Sequence, residues 1–567
     1  MIKLKEETLT SVLDQCTREY SQKTAVSFTD EPPITYAEFR SQVDHLSQFL
    51  RNQGVVHGDR VAIIGENSPY WGIAYFAITS MGAIVVPILP DFHFSDIHHI
   101  LRHSGTKVIF ISERFYQKVE ELNLAEFNCV ILLNNFSIIN PDTSKATLRQ
   151  LLAEGGKELQ KIRNLVLGLT GRIQDKVQEH DTAAIIYTSG TTGHSKGVML
   201  THKNIVWNAI WSSRIPGIKE DDRMLSILPL AHVYECTLGL VLPLLCGASV
   251  YYVKKPPTPA ILLPALEKVK PTAMLTVPLI IEKIYKTRIL PEIRKNHVIR
   301  LVYTFPAVRK RINKIAGRNL MHTFGGCMRF FGVGGSALSP EVERFLIEAE
   351  FPYAIGYGLT ETSPLIAGCN ASTTRFRSTG TVVPGLEVRI DNPDPETGIG
   401  EIIVRGPSIM KGYYHDKERT AEVLSPDGWF RTGDLGSFDK DNCLYIKGRM
   451  KNVILGSNGE NIYPEAIESI IDRSDQVLES LVYNEEGQLF ARVYLDYEKL
   501  DAEFSALGLS GKQAAGRIKL ILDGILKQVN EQLSSFSRLS NIYEQREPFE
   551  KTPTQKVKRY LYTKTKK

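Results

Sequence analysis

Cysteine is scarce in this chain. Its 567 residues hold seven, at 16, 129, 236, 246, 327, 369 and 443, an odd number with no C-x-x-C spacing. Such usage indicates neither a disulfide framework nor a zinc site, and it fits a reducing cytosol. Low-complexity tracts and internal repeats are lacking, so disorder is expected only in the C-terminal tail. The N-terminal MIKLKEETLTSVLDQ carries charges where a secretory signal would have its apolar core, which argues against secretion. Only two long uncharged runs need a decision, Ser68–Pro90 and Cys236–Val253. Each is long enough to cross a bilayer, yet the first contains Gly72, Gly82 and Pro87 and divides into a buried helix (Tyr70 to Met81) and a strand (Ala83 to Ile88). The second breaks similarly at Pro243 and Gly247. Both read as interior elements of an α/β protein. With 43% hydrophobic and 23% charged residues, the chain has the make-up of a packed protein, long enough for roughly three or four units.

One loop stands out. YTSGTTGHSKG, Tyr187 to Gly197, sets three glycines, five serines and threonines and a lysine between two apolar runs. AAIIY before it looks like a buried strand, and VMLTHKNIVWNAIW after it offers Thr201 as a helix N-cap, so strand, loop and helix are expected in that order. Glycines at 190, 193 and 197 let backbone N–H groups approach an anion, while Thr188, Ser189, Thr191 and Thr192 add hydroxyl donors and Lys196 adds charge. The reading is a grip for a nucleotide triphosphate. The Walker order Gly-Lys-Ser/Thr is absent, because Lys196 precedes Gly197, and this excludes a P-loop GTPase or kinase.

The expected fold class is α/β. RVAIIG, PYWGIAYFAITSM and AIVVPI alternate strand, helix and strand, as in a largely parallel sheet covered by helices. Further strands are expected at KVIFI (107–111), CVILL (129–133), AMLTV (273–277) and MRFFGV (328–333). From about 380 to 447 short strands and turns mark a β-rich subdomain. Residues 1–450 are expected to form a large N-terminal domain, and 451–567 a smaller α+β domain.

Three more loops carry chemistry. GYGLTETSP, Gly356 to Pro364, follows a strand, offers the Tyr357 ring to a base and offers the Glu361 carboxylate to Mg2+ on phosphates. GGSALS, Gly334 to Ser339, also follows a strand. WFRTGDLG places Asp434 in a glycine turn, where a carboxylate can accept from both ribose hydroxyls. Together with GRMKNVILGSNGENIYPEAIE and KTPTQKVKR, these strings occur in the order and spacing of the adenylate-forming, AMP-binding superfamily. The resemblance covers residues 20 to 560, and RFFGVGGSALSPEVERF, TVPLIIEKIY and TPTQKVKR resemble its long-chain fatty acid CoA ligase branch.

That resemblance implies a two-step reaction with ATP, Mg2+ and CoA: a carboxylate attacks the α-phosphate, giving an acyl-adenylate and pyrophosphate, and a thiol then displaces AMP. It implies Lys556 as the catalytic lysine of adenylation. Thr188, Ser189, Gly190, Thr191, Thr192 and Lys196 would hold the pyrophosphate portion, Glu361 with Thr192 the Mg2+, and Thr360 the α-phosphate. Tyr357 and Gly358, with Gly335 and Ser336, would border adenine; Asp434 and Arg449 would take the ribose, and His232 would lie near the reacting carboxylate. Lys451 matches the hinge about which the C-terminal domain would turn, and Gly459 a glycine along the thiol channel. Two departures stand out: Ser195 replaces a common proline, and Gln555 replaces a common glycine before the catalytic lysine. The implied acid is a medium- to long-chain fatty acid; an acyl carrier protein as acceptor, or a non-catalytic binding protein of this fold, remain alternatives.

Between 283 and 318 there are eleven Lys/Arg and one acidic residue, Glu292, although the whole chain carries only +5. Apolar residues interleave with the charges. The segment suits the anionic inner face of a membrane, which the enzyme would visit from the cytoplasm, or equally a solvated helical hairpin. No recognition fold for nucleic acid accompanies it.

Overall fold

In the computed structural model the described residues are 4–120, 122, 126–139, 176–188, 195–294, 297–455, 461–508, 511–552 and 556–563. Two large sheets and a helix between them organise the N-terminal part. One sheet runs in the order Thr381–Val382, Leu365–Gly368, Tyr353–Gly358, Phe330–Val333, Ala273–Thr276, Arg223–Ser226, Ser249–Tyr252, Thr24–Phe28, Ile34–Thr35. The other runs Gly412–Tyr413, Lys196–Thr201, Thr182–Thr188, Ile84–Ile88, Arg60–Ile64, Thr106–Ile111, Cys129–Leu132, Ile138–Ile139. The central strands of both are parallel and the edges antiparallel. The α/β class expected from alternating strands and helices is therefore present, as mixed rather than purely parallel sheets.

The uncharged run at 68–90 is interior. Its helix, Pro69–Ser80, is started by Ser68, whose hydroxyl accepts from the Trp71 N–H, with proline at the first turn. It has no polar face: Trp71, Ile73, Tyr75, Phe76 and Ile78 are all buried. A helix apolar all round must be covered all round, and this one packs on the strand Thr24–Phe28 of one sheet and on Arg60–Ile64 and Ile84–Ile88 of the other. Among the described residues no helix is long and apolar enough to cross a membrane. The second uncharged run holds a surprise, since Pro243 does not break it. A π-helical stretch, Cys236–Val241, leads directly into Leu242–Leu245, and Pro243 sits in the first turn of that helix, where it has no N–H to leave unpaired. The break comes at Gly247, with φ +78°, before Ser249–Tyr252.

A four-stranded antiparallel sheet, Glu387–Asp391, Gly400–Arg405, Phe430–Phe438 and Leu444–Arg449, follows. Beyond it, Val477–Glu485, Gln488–Leu495 and Leu539–Gln545 form a three-stranded sheet covered by Pro464–Ile471 and Gly511–Asn530. The latter helix buries Leu522, Ile525 and Val529, a spacing that keeps one stripe on the sheet. This C-terminal part closes its own core around Ile471, Val493 and Leu500.

Candidate active site

The loop-bearing strand Thr182–Thr188 is followed not by a helix but by a second strand, Lys196–Thr201, paired antiparallel to it. The expected order of strand, loop and helix is thus corrected to a hairpin and then a helix. VMLT pairs because its alternate residues Val198 and Leu200 are buried against the sheet. Thr201 does cap His202–Ser212: its hydroxyl accepts from Asn204 N–H at 3.1 Å, and Asn204 returns a bond to the Thr201 N–H at 2.8 Å. Ser189, Gly190, Thr191 and Thr192 lie outside the described residues, as do Gly459 and Gln555. The loop's ends are described. Thr188 Oγ1 and Ser195 Oγ are buried with no hydrogen-bond partner among the described residues. Burying an unpaired hydroxyl is costly, so two donors at the mouth of the loop fit a phosphate-bearing ligand.

Lys196 crosses to the other sheet. Its ammonium lies 2.8 Å from Glu361 Oε1 and 2.5 Å from the Tyr413 hydroxyl, and 4.2 Å from the centre of the Tyr413 ring. Tyr413 in turn donates to Glu361 Oε1 at 3.0 Å. Burial alone would push the Glu361 carboxyl up, but Lys196, helped by Tyr413, outweighs it and holds the group below its ordinary value. The site therefore keeps a buried carboxylate ionised, as a divalent cation requires. The residues fit Mg2+ to that extent, with Thr192 beyond the described chain.

Thr360 and Glu361 sit in a short 3-10 turn, Thr360–Thr362, at the end of Tyr353–Gly358. Asn208, fully buried, braces that turn by donating to the carbonyls of Leu365 at 2.9 Å and Thr362 at 3.3 Å. Gly358 is obligatory, because a β-carbon there would overlap the Pro364 carbonyl. Tyr357 donates to Asp434 Oδ2 at 2.8 Å, and Arg449 Nε meets Asp434 Oδ1 at 2.8 Å. Asp434 and Arg449 are register partners on adjacent strands, which makes the pair a direct consequence of strand alignment. Burial raises the Asp434 carboxyl above its ordinary value, with Arg449 and Tyr357 pulling against it. Gly335, with φ +92°, and Ser336 are exposed in the turn after Phe330–Val333.

His232 follows Arg223–Ser226 and caps the next turn, its Nδ1 accepting from Tyr234 N–H at 3.2 Å. Burial, reinforced by the charge of Lys556, lowers its pKa to about 4. The ring is neutral at physiological pH, and with Nδ1 accepting, its proton resides on Nε2. Lys556 comes from a tight turn in which Thr552 N–H bonds the Lys556 carbonyl at 2.8 Å and Lys556 N–H bonds Thr552 Oγ1 at 3.2 Å. Phe549, Val557 and Tyr562 pin this turn onto Val477–Glu485. Lys556 is open to solvent on one side and crowded by protein on the others. That crowding lowers its pKa, as does Arg449, while Asp434 and Glu361 pull it back up. Lys451 is lowered to about 8 by burial and then by Arg449, Lys196 and Lys556. Four cations thus interact around two carboxylates, leaving an excess of positive charge.

The same part of the chain holds a narrow apolar pocket of about 50 Å³. Tyr234 and Gly356, close in sequence to His232 and Tyr357, line it together with Ile215, Leu238, Leu275 and Phe330. Among the described residues no charged side chain borders it. Tyr413 and Asn208 were not among the residues the sequence singled out. Tyr413 lies within KGYYHD, residues 411–416, and only its pairing with Lys196–Thr201 brings it to the site.

A family described as AMP-binding enzyme matches residues 13–414. The chain belongs to the AMP-binding enzyme family. Among curated relatives it is 29% identical to the long-chain-fatty-acid–CoA ligase FadD15 of Mycobacterium bovis, over 93% of this chain and 90% of that one. It is 28% identical to the indoleacetate–CoA ligase of Aromatoleum aromaticum, over 81% of this chain and 82% of that one. The fold matches the anthranilate CoA ligase AuaEII crystallised with anthranoyl-AMP, with TM-score 0.76 and 20% identity over 98% of this chain and 96% of that one. The adenylate-forming resemblance is borne out; its relatives include both fatty acyl and aryl CoA ligases.

Proposed function

We propose that the protein activates a medium- to long-chain fatty acid with ATP to an acyl-adenylate and then transfers the acyl group to the thiol of CoA, releasing AMP. The observation that carries this reading is the cation cluster, Lys196, Arg449, Lys451 and Lys556, together with an apolar pocket that has no charged residue among its described lining and whose wall includes Tyr234 and Gly356, close in sequence to His232 and Tyr357. A carboxylate whose tail occupies that pocket would meet a polyphosphate at the cluster. An amino acid substrate would leave its ammonium unpaired there, which counts against a peptide-synthetase activity.

The first step brings two anions together, so the protein must neutralise charge as they meet. Lys556 is suited to that task, at the place where its own ammonium is least comfortable. His232, neutral with its proton on Nε2, would donate to the acid's carboxylate without protonating it. Lys196 and Tyr413 would keep Glu361 ionised for Mg2+, which when bound would offset phosphate charge. Asp434 would take the ribose hydroxyls, and Lys451 would act as the pivot on which Lys556 leaves and a thiol enters. CoA as acceptor is supported by the relatives' activities. An aryl acid is the second reading, favoured by the indoleacetate ligase relative.

A peripheral membrane contact accompanies this reading. Within 283–318, Tyr285, Ile289 and Leu290 are core residues, but Leu301 and Phe305, at the turn between His297–Val302 and Pro306–Thr323, are 71% and 60% exposed. Arg300, Lys310 and Arg311 are exposed around them. An apolar tip ringed by cations suits an anionic bilayer from which insoluble acids are collected.

The test is pyrophosphate release with ATP, Mg2+ and acids from acetate to oleate plus aryl acids, followed by mass spectrometry with CoA. Release that peaks with fatty acids and yields acyl-CoA supports the proposal. A peak with aryl acids supports the second reading, adenylate that CoA does not accept points to a carrier protein, and no activation of any acid overturns both.

A further inference from the structure

On the far side of the 334–339 loop lies a second cavity, of about 550 Å³, which is within the range of small-molecule sites. Its walls are about half polar, and their charge is basic. Among the described residues four guanidinium groups border it, those of Arg309, Arg344, Arg377 and Arg473, against two carboxylates, Glu341 and Glu348. The carboxylates are already engaged: Glu348 accepts from Arg309 at 2.8 Å and from Asn313 at 2.7 Å, and Glu341 accepts from the Tyr285 hydroxyl at 3.0 Å. Arg377 is held by the Leu338 carbonyl and by Glu343, 3.8 Å away. Arg344 and Arg473 remain. Among the described residues neither makes an ion pair; Arg473 donates to Gln532 Oε1 at 3.1 Å, and Arg344 lies 5.7 Å from the centre of the Phe376 ring. Phe376 is 40% exposed. Two guanidiniums without an ion-pair partner among the described residues and a partly exposed aromatic ring are the elements that grip a phosphate ester carrying a planar ring.

The two guanidiniums come from different sides of Lys451. Arg344 lies on Pro340–Glu348, directly after the loop that carries Gly335 and Ser336, whereas Arg473 follows Pro464–Ile471 in the C-terminal part. Alongside the cavity the Lys286 ammonium reaches the carbonyls of Asp472 at 3.4 Å and Val477 at 3.3 Å, which joins the same two parts. We propose that this cavity is a second binding site, separate from the adenylation site, for a nucleotide-sized phosphate ester, and that its occupant holds the C-terminal part in the orientation seen here. A ligand that touches both arginines favours the arrangement in which both are present, and it shifts the population by its differential affinity. The same chemistry belongs to free nucleotides and to the nucleotide end of CoA.

The full chain, with its adenylation site saturated by AMP, is titrated calorimetrically with adenosine 3′,5′-bisphosphate, ADP and inorganic phosphate in turn. One further binding event per chain is expected, weakened at least tenfold by Arg344→Ala and by Arg473→Ala, unchanged by Lys512→Ala, with AMP affinity intact in all three variants. Tighter binding of the bisphosphate than of ADP assigns the site to the CoA nucleotide; the reverse order assigns it to free nucleotide. Hydrogen exchange in 278–289 should slow when the site fills, and should not slow in Arg473→Ala. No further event, or one that both variants leave intact, overturns the site. An event that Arg344→Ala abolishes and Arg473→Ala spares overturns its link to domain orientation. The readout is binding, so it stands even where no acid is activated.

Discussion

Tyr413→Phe isolates one hydroxyl at the centre of the site. The ring stays beneath the Lys196 ammonium, but the bond to Glu361 Oε1 at 3.0 Å and the 2.5 Å contact with Lys196 are both lost. A hydrogen bond to a charged group contributes about 1.5–3 kcal/mol, which corresponds to roughly a ten- to hundredfold effect. Lys196 still pairs with Glu361, and water can enter where the hydroxyl was, so the lower end applies and we expect about a tenfold loss of pyrophosphate release at neutral pH. The loss should depend on pH. Glu361 is held below its ordinary value in the folded protein, so its carboxylate is present above that value and is lost as pH falls. Removing one of its stabilisers raises its pKa, so the acid limb of the rate profile moves to higher pH and the apparent Mg2+ requirement increases. Steady-state pyrophosphate release across pH and Mg2+ concentration is the assay. Equal rates with an unmoved acid limb would refute the argument that Tyr413 keeps Glu361 ionised, and a uniform loss at every pH would reduce its role to packing.

Lys556→Ala should lower adenylation by about a hundred- to a thousandfold, the scale seen when one preorganised charge donor is removed; thioester formation from supplied acyl-adenylate should survive, and equal damage to both steps would contradict a role confined to the first. Lys451, with its pKa near 8, is a cation below that pH and neutral above it. ATP binding should therefore weaken as pH rises through 8 and should take up a proton, visible as buffer-dependent heat, and Lys451→Met should flatten both effects. Reversing Lys310 and Arg311 to Glu should abolish flotation with anionic liposomes; Arg309 is left in place because it is committed to Glu348. Gly358→Ala should lower the melting temperature as well as activity, since the overlap is with backbone that cannot yield.

Much of the architecture was legible because it is written in local pattern. The helix at 69–80 shows as an unbroken apolar run with serine and proline at its head, and Thr201 shows as a cap three residues ahead of Asn204. What was hidden depends on pairing over long distances. VMLT is apolar and short enough to be read as the start of the helix behind it, and only its ladder with Thr182–Thr188 makes it a strand. Tyr413 reaches Lys196 because a two-residue strand joins the edge of that same sheet 217 positions away. Asn208 likewise looks like an ordinary helical residue until the Leu359–Leu365 turn folds over it. The apolar pocket is collected from several strands and two helices, so its chemistry had no signature in sequence order.

The electrostatics tie these pieces to a cycle. Lys196, Arg449, Lys451 and Lys556 outnumber Glu361 and Asp434, and the lowered pKa values of Lys451 and Lys556 record that mutual repulsion along with their burial. A polyphosphate between them removes the repulsion, so the anion itself helps hold Lys556 in place. On the proposed function, the repulsion would return when pyrophosphate leaves, at Lys451, the proposed pivot, and at Lys556. The Lys451→Met variant tests this. With one cation fewer, the C-terminal part should dwell longer in the present orientation after pyrophosphate release, which hydrogen exchange at the Lys286–Val477 contact would register as slower opening. Faster or unchanged opening would mean that repulsion within the cluster does not drive the turn.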